Sequence, residues 1–159
     1  LIITRRKNSS QRPSQRSRIS DCRLPIGDWL DRKQFAWTPH TMNADDLKKR
    51  TKQFALRILK LAAALPNTVE GKVIRWQLVR AGTSVGANYR AACRGRSTAE
   101  FIAKMGTVEE EADESAYWME MLVEAGVWSE KHLVELMVEA NELVAIAVAS
   151  IKTAKSRKS

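Results

Sequence analysis

Histidine, cysteine, proline and glycine are all scarce in this chain, and each scarcity closes off a class of fold or function. The two histidines are His40 and His132, and Glu-x-x-His occurs nowhere, so the carboxylate-bridged metal pair that helical bundles house would lack its histidines. The two cysteines, Cys22 and Cys93, form no CxxC pair and follow no secretory segment, which points to a reduced, cytoplasmic chain and away from a disulfide scaffold. No stretch reaches the roughly 18 consecutive apolar residues of a spanning helix, so no membrane association is expected. Four prolines and seven glycines are all that interrupt a chain rich in Ala, Leu, Glu, Lys and Arg, without alternating β-branched runs between turn signals. An all-α fold follows.

Catalytic chemistry finds no support in the residues. Cys93 has arginines nearby that would favour its thiolate, but no histidine base accompanies it, and a small helical cysteine reads as core. Gly82-x-x-x-Gly86 lies inside a helical pattern and lacks the Gly-Lys-Ser/Thr of a phosphate loop. The acidic run Glu109 to Glu114 sets Glu111 and Glu114 on or beside an inward stripe, where a carboxylate paired with Arg90 or Arg94 is a better reading than a metal ligand. The chain is expected to be a non-enzyme with no catalytic residue, no metal site and no cofactor.

Charge is abundant, and its placement is uneven. The formal net charge is +9, yet residues 42–96 carry 12 basic and 3 acidic groups while residues 97–151 carry 2 basic and 12 acidic. Apart from a basic leader and tail, the chain is therefore nearly neutral, with halves of opposite sign. A uniformly basic RNA binder has a different pattern.

Residues 1–41, with three prolines, several serines and scattered arginines, read as a disordered basic leader. Met42 is a candidate natural start that would place this leader outside the native protein. Residues 42–155 carry four amphipathic helices, and 156–159 form a basic tail. Helix 1 is expected from Ala44 to Leu65, capped by Asn43, with Leu47, Phe54, Ile58, Leu61 and Leu65 inward. Helix 2 is expected from Val69 to Cys93, capped by Thr68, with Val73, Ile74, Leu78, Ala81, Val85, Tyr89 and Ala92 inward. Helix 3 opens on the capping box Ser97-Thr98-Ala99-Glu100, buries a stripe from Phe101 to Leu122 and stops at Gly126. Helix 4 is expected from Glu130 to Lys155 behind a Ser129 cap. Short loops between them predict an antiparallel up-down-up-down four-helix bundle. Gly82 and Gly86 sit where a neighbouring backbone must come close, Asn88 beside them needs a hydrogen-bond partner, and Trp76, Trp118 and Trp128 exceed what one bundle buries.

Several runs carry a family resemblance: SVGANYRAA at Ser84–Ala92, RSTAEFIAKMG at Arg96–Gly106 and EADESAYWMEML at Glu111–Leu122, extended by DLKKRTKQFALRI at Asp46–Ile58 and EANELVAIAVASIKTAK at Glu139–Lys155. Together they resemble the four-helix-bundle family of 23S rRNA intervening-sequence proteins over roughly residues 43–155. The resemblance implies a ring-shaped homo-oligomer, typically a pentamer. It offers two kinds of partner: structured RNA or other nucleic acid, or a protein, as with the similar retroelement accessory proteins that pair with a reverse transcriptase.

For nucleic acid, the candidate contacts are Lys48, Lys49, Lys52, Arg57 and Lys60 on helix 1 with Arg75, Arg80 and Arg94 on helix 2 and its exit, repeated around a ring as a positive band. Gly82, Gly86, Asn88, Tyr89 and Trp118 are the candidates for helix packing or subunit contact. Arg90, Arg96, Glu111 and Glu114 are the candidates for structural ion pairs. A protein-interaction scaffold that binds no nucleic acid is the other reading.

Overall fold

The computed structural model describes residues 43–157, so the expectations for the leader, for Met42 and for the end of the tail lie outside the described residues. Four α-helices follow one another: α1 (Ala44–Ala64), α2 (Val69–Ala92), α3 (Thr98–Glu124) and α4 (Val134–Ser156). They form a four-helix bundle, and no strand occurs among the described residues.

Local chemistry sets the helix ends. The Asn43 side chain accepts from the amides of Asp45 and Asp46, and the Asp46 carboxylate accepts from the Asn43 amide, a reciprocal cap. Thr68 caps α2 through the Gly71 amide, and Ser97 caps α3 through the Glu100 amide. The Glu100 carboxylate reaches back one residue further than expected, accepting from the Arg96 amide at 2.8 Å. Gly126, with φ of 66°, turns the chain out of α3.

Helix 4 begins differently from the expectation. Ser129 makes no capping hydrogen bond, a 3-10 turn occupies Glu130–His132, and the α-helix starts only at Val134. The tighter turn swings Leu133 fully into the core, so burial of one leucine outweighs a local cap worth about 1 kcal/mol.

The core is continuous along the bundle. Phe54, Ile58 and Leu61 of α1, Leu78 and Val85 of α2, Met105, Met119 and Leu122 of α3, and Leu136 and Leu143 of α4 are all fully buried. Phe101 is only half-buried, at the rim of this core. Val73 is a further correction: it is exposed, because the inward line of α2 runs through Ile74, Leu78, Ala81 and Val85, and Val73 falls outside it with Val69 and Trp76. Cys93 is exposed too, since the buried line of α2 ends one residue earlier at Ala92 and Cys93 already belongs to the helix cap.

Gly82 is where α1 and α2 meet most tightly. A Cβ there would lie 2.7 Å from a side-chain carbon of Ile58, and one on Gly86 would lie 3.4 Å from the Thr51 carbonyl oxygen. Close approach within one subunit therefore accounts for Gly82, whereas a Cβ on Gly86 would make ordinary van der Waals contact and the expected close approach there is not found. The Thr51 hydroxyl, fully buried, donates back to the Leu47 carbonyl at 2.9 Å.

Pairs of helices adjacent in sequence pack extensively, whereas α1 and α4 touch over a much smaller area. Long side chains bridge that seam. Arg50 donates to both carboxylate oxygens of Glu139, at 2.7 and 3.1 Å, and also contacts Glu142, while Arg57 lies 3.8 Å from Glu135.

Candidate functional site

Charged side chains on α1 and α2 divide into those used inside the subunit and those left in solvent. Arg50 belongs to the first group: burial disfavours its charge, but the Glu139 and Glu142 carboxylates outweigh that and raise its pKa above the ordinary arginine value. Arg57 lies beside Glu135 on the same seam. Arg75, expected on a nucleic-acid face, donates instead to the Leu65 and Pro66 carbonyls and ties down the exit of α1.

Arg80, also expected to face nucleic acid, bridges to α3. It contacts the Glu114 carboxylate directly and comes within 3.7 Å of Glu111. The ion pair expected between α2 and the acidic helix exists, but Arg80 forms it in place of Arg90 or Arg94. Arg90, Arg94 and Arg96 are exposed and have no carboxylate partner among the described residues. The reason is height along the hairpin: Arg80 lies 12 residues before the end of α2 and Glu111 lies 13 after the start of α3, so the two stand level. Arg90 stands level with the joint.

The two carboxylates on Arg80 have their pKa values shifted in opposite directions. Burial pushes the Glu111 carboxyl up, Arg80 offsets only part of this, and Oε2 of Glu111 accepts no hydrogen bond among the described residues. Burial also works against ionised Glu114, but hydrogen bonds from Trp118 and Arg80 prevail and hold it below its ordinary value. The Trp118 indole donates to Glu114 at 3.0 Å, and the Tyr117 ring meets Trp118 edge-on with centroids 5.0 Å apart.

A raised carboxyl costs stability as pH climbs through its ordinary value of 4.5, whereas a lowered one supplies stability above that value and loses it below. At pH 7, Glu111→Gln is expected to keep or raise the urea midpoint, and Glu114→Gln to lower it. At pH 3 the Glu114→Gln difference is expected to shrink. Urea titrations at the two pH values measure both.

The remaining helix-packing candidates fall as follows. Tyr89 is buried and its hydroxyl donates to the Ala44 carbonyl at 3.4 Å; burial, with Cys93 beside it, pushes the phenol above its usual range. Asn88 is half-buried and donates to the Ser84 carbonyl one turn back in its own helix.

Two surfaces stand apart from these internal contacts. On the outer face of α2, Val69, Val73 and Trp76 recur at steps of four and three with 75%, 53% and 76% of their area exposed. Tyr117 of α3 is half-exposed as well. At the end of the bundle where α1 and α3 begin and α2 and α4 finish, a cleft of about 1000 Å³ opens between Leu47, Tyr89, Phe101, Ile146 and Ala149, with Lys48 and Arg157 on its lining. No three His, Cys, Asp or Glu side chains converge as a metal site among the described residues. No described helix is long and apolar enough to cross a membrane.

Residues 45–149 match the model of the 23S rRNA-intervening sequence protein family. The chain belongs to that family. A crystal structure of a protein with unknown function from the S23 ribosomal protein family, from Bacteroides thetaiotaomicron VPI-5482, is 32% identical and aligns with a TM-score of 0.63 over 67% of this chain and 98% of that one. No curated protein matches. Neither description names an enzymatic activity. Within the family region lie the Arg80 bridge, the α1–α4 seam and the exposed face of α2, whereas part of the α4 side of the end cleft extends past residue 149.

Proposed function

We propose that this family member is a non-catalytic scaffold, an antiparallel up-down-up-down bundle that assembles into a ring-shaped homo-oligomer and engages nucleic acid through its solvated cations. The observation that carries the assembly is the Val69–Val73–Trp76 stripe, an apolar face on an otherwise satisfied helix. A large indole left three-quarters exposed beside two valines is the kind of patch that association buries. The occupant argued for is a second copy of the same chain, in keeping with the family's implied rings.

Opposed charge between the two halves of the chain contributes little to that assembly, because Arg50, Arg57 and Arg80 meet carboxylates within one subunit. The contact between copies is thus primarily apolar. In sedimentation, the wild-type protein is expected to run as a closed oligomer and Trp76→Glu as a smaller species with unchanged helical circular dichroism. A wild-type monomer at micromolar concentration would overturn the reading.

A further inference from the structure

Seven of the cations that stay in solvent lie at the end of the bundle that carries the cleft, while Lys52, Lys72 and Lys131 are exposed elsewhere. Arg90 and Arg94 are exposed one turn apart on the last turn and exit of α2, and Arg96 follows in the joint. Lys152 and Lys155 are exposed on the last turns of α4, Arg157 is exposed at its C-cap, and Lys49 is exposed on the first turn and a half of α1. Among the described residues none of these seven side chains forms a close ion pair, although the Asp45 carboxylate acts on Lys49 at longer range.

Acidic groups at this end are few and already engaged. Asp45 holds Lys48 at 2.9 Å, Asp46 accepts from the Asn43 amide, and Glu100 accepts from the Arg96 amide. The opposite end is different in kind: Lys60, Lys72, Arg75 and Lys131 stand among Glu70, Glu120, Glu124, Glu130 and Glu135. The bundle is therefore polar along its axis, with one strongly cationic end.

That end is also concave and partly apolar. The floor of the cleft is made by Leu47, Ala92, Ile146 and the half-buried ring of Phe101. Lys48 and Arg157 stand on the cleft lining, and Arg94 and Arg96 alternate along the joint with the lining residues Cys93, Gly95 and Ser97. Cations beside an apolar floor with an accessible aromatic are the combination that binds single strands, phosphates on the cations and an unstacked base on the ring. A duplex presents its phosphates on a convex surface and keeps its bases stacked, so it leaves the floor unused. We infer that the cationic end of each subunit is a single-stranded nucleic-acid site, with Arg94, Arg96 and Arg157 on phosphates and a base against Phe101. This rests on reading the assembly as a nucleic-acid-binding scaffold, and it moves the site from the expected band along α1 and α2 to the bundle end.

The test is fluorescence anisotropy of the full chain with a mixed-sequence RNA single strand of about 16 nucleotides, and with a duplex of equal length, across salt concentrations. The end variant is Arg94→Glu/Arg96→Glu/Arg157→Glu; the charge-matched control is Lys52→Glu/Lys72→Glu/Lys131→Glu, all exposed positions elsewhere. The end variant is expected to weaken single-strand binding about 100-fold and to flatten the salt slope by about 2, near 0.7 for each phosphate no longer neutralised. The control is expected to change affinity less than about threefold. Phe101→Ala is expected to weaken binding about tenfold at an unchanged salt slope.

Circular dichroism checks folding, and should the triple variant fail to fold, Arg94→Ala alone must still lower the slope by about 0.7. Binding by the wild type that the control abolishes and the end variant retains would overturn this site and leave the scaffold reading standing. Preference for the duplex would overturn the single-strand assignment, and no binding by the wild type to either probe would overturn the nucleic-acid reading itself along with the site.

Discussion

Gly82→Leu is expected to lower the stability of the bundle by about 3 kcal/mol, the upper range for overpacking a core. At position 82 even the first side-chain carbon lies 2.7 and 2.8 Å from the two γ carbons of Ile58, which is itself completely buried. Ile58 is β-branched and stiff, so it cannot swing aside without leaving its rotamer. Relief must come from moving α1 away from α2 along the whole hairpin. For a domain of this size the cost corresponds to a fall of about 10 °C in melting temperature. Gly106→Ala supplies the internal control: a Cβ there meets nothing within 4 Å, and the substitution is expected to stabilise α3 by about 0.5 to 1 kcal/mol through helix propensity alone. Thermal denaturation of the two variants beside the wild type measures both signs.

Reversing Glu139 is expected to have the next largest effect. Glu139→Lys sets a second cation against Arg50, whose guanidinium is mostly buried and grips both oxygens of that carboxylate. Removing one member of a buried pair strands the other charge, and with both groups partly reached by solvent and Glu142 still present the loss is expected near 2 to 3 kcal/mol. Urea unfolding measures it. The double variant Arg50→Glu/Glu139→Lys is expected to recover part of the loss, which separates the pair from the effect of losing either side chain.

The ends of the helices are legible in the sequence because caps are local. Asn43, Thr68, Ser97 and Gly126 each act within one turn of themselves, and the observed boundaries at those sites fall within a residue of the expected ones. The core stripe is legible for a similar reason, since helical periodicity fixes which residues share a face. It misplaces Val73 because Val73 and Ile74 are adjacent apolar residues about 100° apart around α2, and the buried line passes through Ile74 and leaves Val73 outside it.

Ion-pair partners are harder to read, because they depend on height along a neighbouring helix as well as on face. The acidic stripe of α3 is plain in the sequence, but proximity to the joint points to Arg90 or Arg94 as its cation, whereas counting outward from the joint brings Arg80 level with Glu111 and Glu114. The Arg50–Glu139 pair joins residues 89 apart in the chain and leaves no local trace. The polarity of the bundle along its axis is invisible for the same reason: it arises only when the tails of α2 and α4 are brought together with the head of α1.

The seam between α1 and α4 also bears on the order in which the chain folds. All the extensive helix contacts join consecutive helices, so most of the native structure is assembled from short-range hairpins, which form early and rapidly. Closing α1 against α4 requires ordering nearly the full length of the described chain for a small area of contact, and that closure is expected to come last, giving φ-values near zero at Arg50 and Glu139. Interactions absent from the transition state leave the folding rate alone and slow unfolding. The Arg50 clasp on Glu139 and Glu142 is thus expected to govern how long the folded subunit lasts more than how quickly it is reached.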